Sequence, residues 1–175
     1  MQNFDPGQNR MRQQALLLRR HLWGVAMFKR ILIATDGSEL SRHALSAGLE
    51  FAASIQASAI IVHITTPYVA MLLPTYPLPS GSLPTIEEHR KFSKTGADNL
   101  LVPALALAKE KGVSAASVAI EHEQPWRGIL QVAKSEECDL ICMASHGRRG
   151  LSALLMGSET QKVLTHSHLP VLVMR

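Results

Sequence analysis

Short apolar runs alternate with stretches of helical periodicity from residue 29 to residue 175. The runs at 31–34 and 59–64 are almost continuously Ile, Leu, Val and Ala, which is typical of strands buried on both faces of a parallel sheet. Weaker or later runs at 113–121, 139–145 and 170–174 predict three more strands.

Helical periodicity fills the intervals between these runs. Ser38 is the expected N-cap of the first helix, because its hydroxyl can accept a bond from a free N–H of the first turn. Distortion of the long second helix is expected at Gly96 and Pro103. The helices are predicted over 38–56, 85–111, 126–136 and 158–166.

The segment 65–86 interrupts this alternation. It holds five prolines, interleaved with Thr, Ser, Gly and two tyrosines. Proline lacks the backbone donor and fixes φ, so the segment is predicted to be an irregular excursion. Such an excursion can serve as a lid or as an interface loop.

The order β-α-β-loop-α-β-α-β-α-β predicts the α/β class. We expect a five-stranded parallel sheet in a Rossmann-like open α/β sandwich, with helices on both faces and right-handed crossovers. Sheets of this kind bind ligands at the carboxyl ends of the strands, where the strand order reverses. Binding residues are therefore expected after strands one and four.

Composition narrows the class of protein. With 175 residues, 46% of them hydrophobic and 18% charged, the chain fits one folded domain and is too apolar for a disordered protein. No apolar run approaches the ~20 residues of a membrane-spanning helix, so no membrane partner is expected. The two cysteines, Cys138 and Cys142, do not form a disulfide scaffold and suit the reducing cytoplasm.

The formal charge of +4 first suggests a nucleic-acid partner, but most of it lies in residues 1–26. Four arginines against Asp5 give that stretch a net +3, which leaves +1 for residues 27–175, so no nucleic-acid partner is expected. We divide the chain into a basic extension, 1–26, and a domain, 27–175. The extension is a mis-started translation ahead of Met27, a disordered or weakly helical tail, or a membrane-surface segment.

The chemistry at the predicted strand ends points to phosphate. Asp36-Gly37-Ser38 follows strand one, and Asp36 either buttresses the turn or faces a ligand. The sequence Ser-His-Gly-Arg-Arg-Gly at 145–150 follows strand four, and Gly157-Ser158 opens the last helix. Glycines let backbone N–H groups approach phosphate oxygens, while Arg148 or Arg149 can supply charge. No GxxxxGK[ST] or GxGxxG motif occurs, which excludes an ordinary P-loop and counts against a dinucleotide fold.

Several segments together resemble the universal stress protein family in its stand-alone bacterial form. They are MFKRILIATDGS at 27–38, VHI at 62–64, DLICMASHG at 139–147, Gly157-Ser158, and LPVLV at 169–173. The resemblance covers residues 27–175. It implies an adenine-nucleotide α-hydrolase-like fold, a role in the stress response through an unidentified downstream protein, and a homodimer that pairs strand 170–174 across a two-fold axis.

The ATP-binding branch of this family uses a glycine, two residues, a second glycine, nine residues, and then Gly followed by Ser or Thr. The spacing is kept here, with Gly147 and Gly157-Ser158, but Ala144 replaces the first glycine. A methyl group is the smallest possible intrusion, and its effect depends on the sign of φ at Ala144.

The resemblance implies ATP, with Mg²⁺, as the ligand. It would place Ala34, Thr35 and Asp36 by the adenosine and Ile64 on the adenine. It would place Met143, Ala144, Ser145, His146, Gly147 and Arg148 along the ribose and α-phosphate, and Gly157, Ser158 and the backbone N–H of Glu159 on the outer phosphates. His146 either contacts the ribose or faces solvent.

No Ser-His-acid set or pair of carboxylates is evident at the strand ends, and Glu159 is the nearest acidic residue to the phosphates. The sequence therefore predicts a nucleotide-dependent switch with at most slow ATPase activity. The alternative is a dimeric interaction module of the same fold that binds no nucleotide. An α-hydrolase enzyme would need a longer loop than Asp36-Gly37-Ser38 after strand one.

Three further histidines and the two cysteines are predicted to be structural. His166 and His168 are expected to cap the last helix, His63 to pack at a strand end, and the two cysteines to be small buried side chains.

Overall fold

A computed structural model describes residues 28–68, 85–147 and 156–175. The strands are β1 (Arg30–Ala34), β2 (Ser58–Thr65), β3 (Ala115–Glu121), β4 (Leu140–Ala144) and β5 (Val171–Met174). The helices are α1 (Glu39–Ile55), α2 (Ile86–Glu110), α3 (Pro125–Ser135) and α4 (Ser158–His166). The extension 1–26, most of the excursion 65–86, and Arg148 lie outside the described residues.

All five strands are parallel, in the order β3-β2-β1-β4-β5. Strand β1 pairs with β2 on one side and with β4 on the other. The chain thus builds one half of the sheet outward from β1 and then crosses back to build the other half. The reversal lies between β1 and β4, so the predicted α/β fold and the predicted switch point are both confirmed.

Two helices cover each face of the sheet. Because successive strand residues point to opposite faces, each strand contributes side chains to two separate cores. Ile31 and Ile33 belong to the core beneath α1 and α2, whereas Leu32 packs with residues of α3 and α4. All three side chains are completely buried. Burial on both faces explains why the strand sequence is continuously apolar and does not alternate. Within the described ranges, no helix combines the length and apolarity needed to cross a bilayer.

The structure moves several predicted boundaries by one or two residues. Strand β3 begins at Ala115, two residues later than predicted, because the N–H of Val113 still closes α2 by bonding the carbonyl of Ala108. Helix α2 continues through Gly96 and Pro103. Pro103 is exposed, so the carbonyl that it leaves without a helical donor can bond water instead.

Three of the four helix-to-strand turns at the amino end of the sheet, those that follow α1, α2 and α3, close in the same way. Each contains a residue with positive φ, namely Gln56, Gly112 and Glu137. The next residue in each turn donates its N–H to a helix carbonyl five residues earlier, in the pairs Ala57 to Ala52, Val113 to Ala108 and Cys138 to Ala133. All three donors are buried residues, as expected for a helix end closed by a left-handed turn and an apolar contact.

Both cysteines are free and buried, as predicted. Burial raises the pKa of Cys138 to about 11 and that of Cys142 to about 12, because a thiolate is poorly solvated in the core. Both are therefore neutral thiols at physiological pH, which is the inert state of a structural cysteine.

Cys142 also sets how closely α1 lies on the sheet. A methyl group added to Gly48 in α1 would stand 2.9 Å from Cys142 Sγ and 3.2 Å from Ile33 Cδ1. We predict that Gly48→Ala lowers the free energy of unfolding by about 1–3 kcal/mol through overpacking. Urea unfolding followed by circular dichroism measures this change.

Gly96→Ala is the matched control, since nothing lies within 4 Å of the added methyl group on α2. This substitution should raise the free energy of unfolding by about 0.5–1 kcal/mol, because alanine is the better helix former. Combining Gly48→Ala with Cys142→Ala should cost less than the sum of the two single changes. Strict additivity would show that the sulfur is not what excludes a side chain at Gly48.

Candidate functional site

The first part of the site is the turn that carries β1 into α1. Asp36 Oδ1 accepts a hydrogen bond from the Ser38 N–H at 3.0 Å, and Ser38 Oγ in turn accepts from the Ser41 N–H at 3.2 Å. Ser38 is thus the N-cap of α1, as predicted. Gly37, with φ of 79°, provides the left-handed residue between them.

Neighbouring groups hold the backbone of this turn in place. The Thr35 N–H donates to the carbonyl of Val62 at 2.9 Å, and Thr35 Oγ1 lies 3.2 Å from Ser41 Oγ. His63 Nδ1 lies 2.8 Å from the Thr35 carbonyl, so this nitrogen carries the proton and donates it. His63 is buried and packed at the end of β2, in agreement with its structural reading.

The loop after β4 meets the turn after β1. A methyl group added to Gly147 would stand 2.6 Å from Asp36 Oδ2, a distance that real side chains do not tolerate. Glycine at position 147 therefore lets the carboxylate of Asp36 lie against the loop backbone. This contact brings together the two segments on either side of the switch point.

The same loop meets the start of α4. The Gly157 N–H donates to the Ser145 carbonyl at 2.8 Å. A methyl group at Gly157 would stand 3.1 Å from that carbonyl oxygen and 3.2 Å from His146 Cα. Gly157 has φ of −60°, so glycine is needed here for close approach and not for an unusual backbone angle.

Helix α4 begins without a side-chain cap at Gly157. The first intrahelical bond from this turn runs from the Gln161 N–H to the Gly157 carbonyl. The N–H groups of Ser158 and Glu159 precede that bond, and such groups have no acceptor within a helix. They carry the positive end of the helix dipole, which favours an anion.

Ala144 is the last residue of β4 and pairs with Met174 of β5. Among the described residues other than glycine, positive φ occurs at Gln56 and Glu137, so Ala144 has an ordinary backbone conformation. Its carbonyl accepts a bond of 2.9 Å from Thr160 Oγ1. Nothing in the backbone at this position requires a glycine.

His146 follows the buried Ser145, and its Nδ1 lies 3.1 Å from Ser145 Oγ. The other ring nitrogen, Nε2, is buried and has no hydrogen-bond partner in the part of the chain that the structure describes. The sequence left two roles open for His146, contact with a ribose or exposure to solvent. Because Nε2 is buried, this nitrogen is not exposed to solvent. A buried polar atom without a partner is unfavourable unless a further group bonds it.

Ile64 lies near the carboxyl end of β2, the strand beside β1, and is half-buried. Helix α3 approaches it closely at Gly128, where a methyl group would stand 3.0 Å from Ile64 Cδ1. Ile64 is thus a half-buried apolar side chain that packs against α3, at the same edge of the sheet as Asp36 and Gly147.

Glu159 differs from the other candidates because its carboxylate already has partners. Oε2 accepts from the Trp126 backbone N–H at 2.9 Å, and Oε1 lies 2.8 Å from Lys162 Nζ. Of the polar groups of Glu159, its backbone N–H is the one that suits an anion, because it lies in the first turn of α4.

The structure thus gathers most of the predicted binding residues at one edge of the sheet. Arg148 lies outside the described residues, so its place in the set is not established. Sequence reasoning missed Thr160, which is buried and ties α4 to the end of β4, because a threonine in a helical first turn carries no recognisable pattern.

His166 makes a ring contact that joins two helices. His166 ends α4 and stacks on the Trp126 indole, with ring centroids 4.7 Å apart. Within residues 28–68, 85–147 and 156–175, no group of three His, Cys, Asp or Glu side chains is arranged to hold a metal ion.

Comparison with known proteins agrees with this architecture. Residues 27–175 match the universal stress protein family. The chain is 34% identical over 149 residues to the universal stress protein YxiE of Bacillus subtilis, covering 85% of this chain and 100% of that protein. It is 33% identical over 156 residues to the universal stress protein MJ0531 of Methanocaldococcus jannaschii, covering 87% and 85% of the two chains.

Solved structures of low identity share the fold. The universal stress protein UspA from Lactobacillus plantarum superposes with a TM-score of 0.69 at 21% identity, covering 84% of this chain and 97% of that one. A universal stress protein in complex with cAMP gives 0.60 at 19% identity, covering 85% and 97%. One from Archaeoglobus fulgidus in complex with dAMP gives 0.57 at 18% identity, covering 85% and 99%.

The family match extends over the whole of the described fold, and the relatives align over most of their own length. The chain therefore belongs to the universal stress protein family.

Proposed function

We propose that this protein is a cytoplasmic switch in the stress response that binds an adenine nucleotide, ATP with Mg²⁺, and acts on an unidentified downstream protein. One observation carries the proposal. The uncapped start of α4 is seated on the loop after β4, at the switch point of the sheet, by the bond from the Gly157 N–H to the Ser145 carbonyl. The N–H groups of Ser158 and Glu159 have no acceptor among the described residues, and they stand at the edge where such sheets bind ligands.

Two solved relatives support the class of ligand. The structure of one universal stress protein is a complex with cAMP and that of another is a complex with dAMP, and both ligands contain an adenine and a phosphate. The same fold in this chain offers an apolar surface at Ile64 and a helix N-terminus at Ser158, which suit these two chemical groups. ATP has the same two groups, an adenine and a phosphate, and adds two outer phosphates.

The described residues fit a nucleotide in two further respects. His146 Nε2 is a buried polar atom that gains a partner if a ribose hydroxyl or a phosphate oxygen lies beside it. Gly147 and Gly157 lack a side chain at two positions where an added methyl group would crowd other residues of the site, Asp36 in one case and Ser145 in the other. Mg²⁺ would accompany ATP, since this ion is commonly bound through substrate phosphates.

The site is better suited to holding a nucleotide than to cleaving it. Hydrolysis needs a base that can orient a water molecule. Both oxygens of the Glu159 carboxylate are already engaged, one by the Trp126 N–H and one by Lys162 Nζ. We therefore propose at most slow ATPase activity.

Gly157→Val should abolish or strongly weaken ATP binding, because its side chain would force the Ser145 carbonyl and His146 away from α4. Isothermal titration with Mg-ATP should give a measurable dissociation constant for the natural sequence and one raised at least about tenfold for the variant, equivalent to ~1.4 kcal/mol. Gly96→Ala, remote from the site, should bind ATP as the natural sequence does.

Absence of binding heat at millimolar Mg-ATP with the natural sequence would contradict the proposal. The protein would then be the interaction module of the same fold that binds no nucleotide. Equal ATP affinity in Gly157→Val, with a cooperative unfolding transition showing that the variant folds, would instead place the nucleotide away from α4.

Ala144→Gly tests whether the departure from the family motif matters. Because φ at Ala144 is not in the left-handed region, restoring glycine relieves no backbone strain. We expect the dissociation constant for ATP to change by less than about twofold, which is under ~0.5 kcal/mol. A gain of tenfold or more in the same titration would show that the alanine methyl group obstructs the ligand.

We also propose a homodimer through the edge strand 170–174. Among the described strands, β5 pairs with β4 alone. The carbonyls of Pro170 and Met174 face that side, where they accept from the N–H groups of Ile141 and Ser145. In a parallel strand the polar groups of alternate residues face opposite sides, so the N–H groups of Val171 and Val173 face the open edge. Such an edge is a template for pairing with a second chain.

Sedimentation at micromolar concentration should show a dimer for the natural sequence. Val173→Pro removes an outward N–H and should shift the protein toward monomer, whereas Val173→Ala keeps that donor and should remain dimeric. A monomeric natural sequence would refute the proposed pairing.

A further inference from the structure

Helix α3 lacks a conventional N-terminal cap. Its N-cap residue, Gln124, makes no side-chain hydrogen bond to the first turn, and Pro125 at the first helical position has no N–H. The first backbone donor of the helix is therefore the N–H of Trp126. This donor is satisfied by Glu159 Oε2 of α4, 33 positions later in the sequence, at 2.9 Å.

Glu159 is at the second position of α4, so its side chain connects the starts of two helices. The side chain of Glu159 is 35% exposed, and the second oxygen of its carboxylate pairs with Lys162 Nζ on the next turn at 2.8 Å. The Trp126 indole stacks on His166 at the far end of α4. Helices α3 and α4 are thus joined at both ends of α4.

Helix α3 also reaches the other side of the candidate site. Gly128, two residues after Trp126, lies against Ile64: a methyl group at Gly128 would stand 3.0 Å from Ile64 Cδ1 and 3.2 Å from His122 Cβ. The first turn of α3 is consequently held between the apolar surface at Ile64 and the start of α4.

We infer that the carboxylate of Glu159 is a positioning group for nucleotide binding, which acts by fixing the first turn of α4 against α3. The inference rests on the proposed function, in which the N–H groups of Ser158 and Glu159 bind the outer phosphates. The carboxylate itself touches no phosphate. It sets where those N–H groups stand relative to Ile64 and therefore couples the phosphate end of the site to the base end.

Three variants of the full chain separate this role from others. Glu159→Ala removes the acceptor of the Trp126 N–H. Glu159→Gln keeps an oxygen acceptor but removes the charge, and Lys162→Gln removes only the exposed ion pair. Each variant is titrated with Mg-ATP, which has outer phosphates, and with AMP, which lacks them. Exchange of the Trp126 amide proton with solvent, followed by NMR without nucleotide, reports the bond itself.

Glu159→Ala should raise the dissociation constant for ATP by about fivefold, the fold-change that corresponds to the free energy of one helix cap, and should change that for AMP by less than about twofold. Glu159→Gln should restore ATP affinity to within about twofold of the natural sequence. Lys162→Gln should have a similarly small effect, since exposed ion pairs contribute little. The Trp126 amide should exchange faster in Glu159→Ala and remain protected in Glu159→Gln.

Natural affinity for ATP in Glu159→Ala would overturn the inference and leave the proposed function intact. Equal losses for ATP and AMP would also overturn it, because they would indicate general destabilisation and not a positioning role at the phosphates. Failure of the natural sequence to bind any nucleotide would overturn both, and the exchange of the Trp126 amide would still show whether the bond exists.

Discussion

The bond from the Gly157 N–H to the Ser145 carbonyl is the constraint on which the candidate site depends. It fixes the start of α4 against the end of β4, and the missing side chain at Gly157 allows the approach. Thr160 strengthens the same junction by bonding the carbonyl of Ala144. The loop after β4 also lies against the carboxylate of Asp36 at Gly147, and this contact adds the end of β1 to the site. The end of β1, the loop after β4 and the start of α4 therefore lie together at one edge of the sheet.

The fold was largely predictable because strand burial leaves a local trace in the sequence. A strand such as 31–34, covered on both faces, must be apolar at every position, and no other common element of four or five residues has that composition. The boundary of β3 was less predictable. Val113 is apolar and buried like a strand residue, yet its N–H completes the preceding helix, and composition does not distinguish the two roles.

The site was predictable in position but not in its internal contacts. The ends of β1 and β4 follow from the alternation of elements, and the glycine spacing follows from the resemblance to the family. The contact between Gly147 and Asp36, and the bond from Trp126 to Glu159, join residues that are far apart in sequence. Each residue of these pairs is ordinary in its own segment, so only the three-dimensional arrangement of the loops reveals the pairing.

The left-handed turns at Gln56, Gly112 and Glu137 lie at the opposite end of the sheet from the site and use backbone bonds to close each helix. The two ends of the sheet therefore differ in how they constrain evolution. At the end with the three left-handed turns, any residue that tolerates positive φ preserves the turn, so sequences can diverge there without altering the candidate site. At the other end, Gly147 is crowded by the side chain of Asp36, so a change at position 36 can relax position 147. Gly157 is crowded by backbone atoms of Ser145 and His146, and no substitution at those two positions removes them.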